Sequence, residues 1–229
     1  LIVGFIMFNH VTGIEFPTLV RENFEGKRMY KTEGGDRFPS VTTVLGHKSK
    51  PAIKAWRKKV GAATANKISK QASVRGTKIH SLCEDYVNNE ELDFDKLSFV
   101  EVDMFNQMKP LIDRIDNIHC VEQFLYSEHL RLAGQADCIA EFDGRLSIID
   151  FKTSAKLKKK SYIKNYFAQC AAYAIMFEER TGIPIDTSVI IIGVQAEESQ
   201  LFVEKRDNYT EYLLECRDLY EKEVLTSAA

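Results

Sequence analysis

The sequence holds only five cysteines, at positions 83, 120, 138, 170 and 216, and no two form a CxxC pair. Neither a zinc knuckle nor a disulfide framework fits such scattered thiols, which points to a reducing, intracellular setting. An excess of one charge is also missing: 31 basic residues against 33 acidic ones give a formal net charge of −2. A polyanionic partner would have to be met by a local basic patch rather than by the chain as a whole. No GxxxxGK[ST] run occurs, so neither a nucleotide cofactor nor an ATP-driven motor is expected. Repeats and long apolar runs are absent too, and no membrane partner is expected. The opening LIVGFIMF is too short to span a bilayer and lacks the basic segment of a secretory signal. With Met7 close behind Leu1, residues 1–6 read as an upstream extension or else as a buried edge strand.

What is present suffices for one substantial core: 229 residues, 45% hydrophobic and 28% charged. No composition shift marks a second domain. A single domain over 1–229 is expected, with N-terminal strands and helices (1–117), a sheet core (118–206) and a C-terminal helix (207–229). Residues 1–45 look like short strands and turns, since TEGGDRFPS carries paired glycines and a proline, and PSVTTVL is rich in β-branched residues. From Pro51 to about residue 88 the apolar spacing is helical, with a break at Gly61 and room for another near Arg75 and Gly76. Helical spacing returns over roughly 98–116. The period then becomes two over 119–127, 134–142, 145–152, 187–195 and 199–206. Residues 161–182 form an amphipathic crossover helix stopped by Gly182 and Pro184, and a last helix covers about 209–224. The pattern predicts an α/β fold with a mixed sheet.

Residues 134–154, GQADCIAEFDGRLSIIDFKTS, place an Asp-Gly pair between two alternating runs. That pair favours a type I′ hairpin turn, which needs positive φ at both central residues. With Asp143 and Gly144 there, Phe142 faces Arg145 and the same register sets Asp137 opposite Asp150. Lys152 shares the face of Asp150. Carboxylates facing one another repel, and a divalent cation such as Mg2+ or Mn2+ would offset the cost. The plainer reading is a surface hairpin whose polar face carries a small ion-pair cluster.

The spacing Gly134–Asp137, followed by Asp150-x-Lys152-Thr153-Ser154 after an apolar strand, resembles the PD-(D/E)xK nuclease superfamily. Its RecB-type exonuclease branch adds a histidine on an upstream helix and a Gln-x-x-x-Tyr on the next one, matched here by His80 and by Gln169 and Tyr173. Together with PSVTTVL, the likeness extends to the exonucleases of mitochondrial genome maintenance and their phage relatives. It implies a restriction-endonuclease-like mixed sheet flanked by helices, and a metal-dependent DNA exonuclease acting on single strands or frayed ends. It further implies that His80, Asp137, Asp150 and the carbonyl of Phe151 hold Mg2+ or Mn2+. Lys152 would act on the attacking water, with Gln169 and Tyr173 completing the site. The proline of the superfamily's name is replaced by Ala136. Only Cys216 lies beyond the Gln-Tyr helix, so the iron–sulfur cluster of some RecB-type nucleases is not expected. The setting implied is the cytoplasm of a host or infected cell, or an organelle.

A neutral His80 ligand would lose affinity below about pH 6.5, the ordinary histidine value. Ser40, Thr42, Arg75, Thr153, Ser154, Lys156, Lys158, Lys159 and Lys160 are the expected DNA contacts, the lysines because they crowd behind the catalytic strand. A second basic surface runs along the helical region from Arg57 to Lys78, which could arch over the site and admit a single strand. Glu122 reads as an edge-strand glutamate, with contact to a metal-bound water as the alternative. Two rival functions stand beside the exonuclease: a non-catalytic DNA-binding or assembly module, and a restriction-type endonuclease.

Overall fold

The computed structural model describes residues 7–225; the apolar opening at 1–6 lies outside them. The alternating segments become a five-stranded sheet in the order β4 (Ile115–Ser127), β5 (Leu132–Phe142), β6 (Arg145–Ser154), β7 (Thr187–Val194) and β8 (Gln200–Lys205). Neighbours are antiparallel except β6 and β7, which run parallel because α4 (Lys164–Thr181) crosses over between them. β7, with the sequence TSVIIIGV, is buried along its whole length, as a central strand covered on both faces should be.

One sheet face packs against α4, α1 (Val41–Val60) and α5 (Thr210–Tyr220); the other packs against α2 (Ala62–Val87) and α3 (Phe99–Ile112). α4 offers Ala168, Ala171, Ala172 and Ala174 among its buried residues, so its backbone can lie close to the strands. Phe167 and Phe177 anchor it, each worth about 1.5–3 kcal/mol of burial. Gly182, at φ 71°, ends it in the left-handed cap expected of glycine. A smaller sheet, β1 (Leu19–Phe24), β2 (Lys27–Thr32) and β3 (Arg37–Pro39), docks Leu19, Tyr30 and Phe38 onto Ala133 of β5.

Three boundaries differ from those the sequence suggests. Past Pro39, which closes β3, PSVTTVL turns helical: Ser40 caps α1 by accepting from the Thr43 amide at 3.1 Å, and Val41, Val44 and Leu45 fall on one buried helical face. Helix capping and that spacing outweigh the strand preference of β-branched residues. α2 runs unbroken through Arg75 and Gly76, and Gly76 faces the Thr153 hydroxyl of β6 with room for a Cβ at 3.7 Å from it. β4 begins at Ile115, where α3 has already ended at Ile112. Among the described residues no helix is long and apolar enough to cross a membrane.

Candidate active site

The β5–β6 hairpin follows the register read from its turn. Asp143 and Gly144 have φ of 50° and 74°, and the pairs run from Phe142–Arg145 to Cys138–Ile149. The ladder stops there, one pair short of Asp137 and Asp150. Asp137 turns its carboxylate into the gap and accepts the backbone N–H of Phe151 at 2.9 Å. The strands part where their acidic residues would otherwise meet, and a side chain replaces the missing backbone partner.

α2 brings His80 to that gap. Its neighbours Ile79, Leu82 and Cys83 are buried against the sheet, which leaves the imidazole at the rim of the apolar stripe. Nε2 lies 2.8 Å from Asp137 Oδ2 and Nδ1 lies 3.2 Å from Glu122 Oε1. Burial works to lower the His80 pKa, but Asp137 first and Glu122 after it outweigh burial and hold it at about 10. This corrects the expectation of an ordinary histidine: the resting imidazole is charged at neutral pH. His80, Glu122 and Asp137 each offer one potential ligand atom, and these three atoms lie within 4.8 Å of one another.

Glu122 does lie on an edge strand, β4, but with an unusual backbone. It sits at φ 50° inside β4, in the left-handed region that costs a non-glycine residue about 1–3 kcal/mol. Val121–Cys138 and Gln123–Ala136 pair on either side of it in one unshifted register, so the distortion turns a single residue. Its freed carbonyl accepts from Gln135 Nε2 at 2.9 Å.

Asp150 and Lys152 share one side of β6. Lys152 Nζ donates to Asp150 Oδ1, and the ammonium stands 5.3 Å from the centre of the Tyr166 ring. Burial pushes the Asp150 carboxyl up against the opposing pull of Lys152. Burial works to lower Lys152, yet Asp150 and Asp137 raise it overall, so the amine is protonated. Asp150 is 2% exposed, and its Oδ2 is buried with no hydrogen-bond partner. From α4, Gln169 Nε2 points to Tyr173 Oη at 3.5 Å, both side chains being buried. Gly134 makes room for that tyrosine: a Cβ there would sit 2.7 Å from Tyr173 Cε1 and Oη. The glycine of the GxxD spacing and the tyrosine of the Gln-Tyr helix are therefore packing partners.

A cleft of about 190 Å³ opens on Asp137, Glu122, Gln169 and Tyr173, and a second of about 180 Å³ lies across His80 on Phe151, Lys152 and Thr153. Ser40 and Thr42 reach the first cleft, where Arg28 of β2 donates to both hydroxyls. Arg28 and Arg21, which no motif marks, line it as well. Thr153 lines the second cleft. Arg75 is half-buried next to Gly76, with its Nε buried and unpartnered. Ser154 is turned inward, its hydroxyl accepting from the Lys156 amide at 3.2 Å. Lys156, Lys158, Lys159 and Lys160 line neither cleft; Lys160 pairs with Glu204 and the backbone of Lys158 is stapled to Gln200. The structure thus gathers His80, Asp137, Asp150, Lys152, Gln169, Tyr173, Ser40, Thr42 and Thr153 around one gap and leaves the lysine run outside it. The donor set suits a hard divalent cation: one imidazole and three carboxylates, of which Asp150 has a buried oxygen with no partner of its own.

A sequence model of the PD-(D/E)XK nuclease superfamily matches residues 56–225. Mitochondrial genome maintenance exonuclease 1 of Mus musculus is 23% identical over 168 residues, which cover 68% of this chain and 49% of that protein. The Homo sapiens protein of the same name is 23% identical over 203 residues, 80% of this chain and 58% of its own length. The chain spans roughly half the length of these curated relatives. A crystal structure of a candidate exonuclease from Eubacterium rectale matches with a TM-score of 0.49 at 14% identity, over 67% of this chain and 66% of that one.

Proposed function

The chain belongs to the PD-(D/E)XK nuclease superfamily, and on that footing we propose that it is a metal-dependent DNA exonuclease acting on single strands or frayed ends. The observation that carries the reading is the buried, unpartnered Oδ2 of Asp150 beside Asp137, His80 and Lys152. His80, Asp137, Asp150 and the Phe151 carbonyl are the proposed ligands of Mg2+ or Mn2+. When bound, such an ion supplies charge neutralisation at the scissile phosphate and a more acidic water. Lys152, being protonated, donates to that water or to a phosphate oxygen but cannot take up a proton itself. Gln169 and Tyr173 offer an amide and a phenol to the phosphate from the facing helix. The water oxygen bonds to phosphorus and loses a proton to solvent, the P–O3′ bond breaks, and the leaving 3′ oxygen takes up a proton from solvent, giving a 3′-hydroxyl and a 5′-phosphate.

Arg28, Arg21, Ser40 and Thr42 hold a neighbouring phosphate in the first cleft, and Thr153 serves the second. The lysine run from Lys156 to Lys160, with Arg75, contributes longer-range attraction to the strand. Asp137 and Asp150 are only 8% and 2% exposed, so a phosphate must enter a recess to meet them. A frayed end enters such a recess more readily than a paired strand. The relatives named for mitochondrial genome maintenance support an exonuclease rather than a restriction-type activity.

The test uses linear single-stranded, closed circular single-stranded and duplex DNA with Mg2+, Mn2+ or chelator. Cation-dependent loss of the linear strand alone is the expected result. Cutting of the circle would establish an endonuclease, and no hydrolysis with either cation would establish a non-catalytic binding module.

A further inference from the structure

We infer that Glu122 is the positioning residue for His80, fixing the imidazole through Nδ1 so that Nε2 is presented to the cation. The inference rests on the proposed cation site. A ligating histidine needs its second nitrogen held by an acceptor, which sets the ring's orientation and its tautomer. Here Glu122 Oε1 stands 3.2 Å from Nδ1 as its ion-pair partner, while Nε2 is hydrogen-bonded to Asp137 Oδ2 at 2.8 Å. Entry of a cation between Nε2 and Asp137 would part that second pair and leave the first intact.

The backbone shows that this placement is imposed. A strand residue in ordinary extended geometry keeps its ladder bonds, and Val121 and Gln123 keep their pairs with Cys138 and Ala136. Glu122 alone departs, at φ 50°, and its carbonyl is taken by the side chain of Gln135 at 2.9 Å. By continuation of the register it stands across from Asp137. The carboxylate therefore reaches His80 on the side away from Asp137, where it adds a second contact to the ring rather than competing for the first. A left-handed residue maintained by a dedicated side-chain hydrogen bond is the mark of a conformation kept for its outcome.

Calorimetric titration of Mn2+ into the full chain tests this with wild type, Glu122→Ala, Glu122→Gln, His80→Ala and the His80→Ala/Glu122→Ala pair. Glu122→Ala should weaken binding about 10- to 100-fold, and Glu122→Gln should recover most of the loss, because its amide oxygen still accepts the Nδ1 proton. In the His80→Ala background the second change should add less than about twofold, since Glu122 acts through the ring. Equal losses in both backgrounds would make Glu122 a direct ligand and overturn the inference, as would wild-type affinity in Glu122→Ala. Imidazole 15N spectra of the cation-free protein decide the matter without any metal. A slowly exchanging Nδ1–H of His80 should be present in wild type and Glu122→Gln and absent from Glu122→Ala; its persistence in Glu122→Ala overturns the inference. Failure of the wild type to bind Mn2+ would instead count against the cation site itself.

Discussion

Cation binding should expel about one proton near neutral pH, because of the company His80 keeps. Burial works against the imidazolium, but Asp137 and Glu122 hold its pKa at about 10. A proton and a divalent ion compete for the same nitrogen electron pair. Between pH 7 and a pKa of about 10 lie about three units, each worth about 1.4 kcal/mol, so the competition costs about 4 kcal/mol of apparent binding energy at pH 7. Apparent affinity for Mn2+ should climb about tenfold per pH unit between about 7 and 9 and level off near 10. An ordinary histidine would show a curve flat above about pH 8, once Asp150, which burial raises to about 7, has also lost its proton. Titration calorimetry in buffers of differing ionisation enthalpy reads both affinity and proton release, and His80→Ala should remove the slope while weakening binding. A flat affinity from pH 7 upward with no proton release would refute the reasoning. The same shift has a stability counterpart. The folded pKa is raised, so the contribution of His80 is complete below the unfolded value of about 6.5 and is lost as pH rises through about 10. The cation-free protein should lose stability in alkali, as read by urea unfolding across that range.

Lys152→Ala should slow DNA hydrolysis by about 10²–10³-fold while urea unfolding stays cooperative, because Asp150, already pushed up by burial, can take a proton once the ammonium is gone; wild-type rates in this variant would end the catalytic reading. Gly134→Ala should cost about 1–3 kcal/mol of stability, since its methyl group would meet the Tyr173 ring at 2.7 Å. In a Tyr173→Ala background that cost should fall below about 0.5 kcal/mol, read from urea midpoints. Arg28→Ala should weaken single-strand binding about equally for all sequences and reduce the log–log salt slope by about one, measured by fluorescence anisotropy at a series of salt concentrations.

The sequence exposed those parts of the site that carry local signals. Asp143-Gly144 announces its own turn, and one turn sets the register of the β5–β6 pairs from Phe142–Arg145 to Cys138–Ile149. The β4–β5 connection has no such signal. Ser127 pairs with Leu132 across Glu128-His129-Leu130-Arg131, a turn without glycine, proline or asparagine, in which Arg131 itself takes φ 54°. The register that sets Glu122 across from Asp137 was therefore hidden, although the same reasoning would have found it once the turn was located. Arg28 was hidden for another reason. It arrives through a separate small sheet whose place over the site depends on Leu19, Tyr30 and Phe38 packing on Ala133, and no spacing along the chain encodes that contact. The lysine run lies apart from both clefts. Closeness in sequence to Lys152 suggested closeness in space, but Lys158 is tied to Gln200 and Lys160 to Glu204, beyond both clefts.

The gap in the sheet explains how the acidic cluster is tolerated without an ion. At one level of the sheet the ladder is interrupted on both sides of β5: Glu122 leaves it toward β4, and the pairs to β6 end before Asp137. Three carboxylates gather there, and facing like charges destabilise a sheet. His80 and Lys152 answer them, the first between Asp137 and Glu122 and the second on Asp150, and each is held protonated by the acids it contacts. Their two positive charges equal those of one divalent ion, so the cation-free cluster is already close to balanced. Its remaining deficiency is one of coordination, the unpartnered Asp150 Oδ2. A cation that fills it displaces the His80 proton, a net gain of one positive charge that sets the ion and Lys152 against the three carboxylates. Chelation should accordingly abolish the chemistry while leaving the cooperative unfolding transition near neutral pH in place.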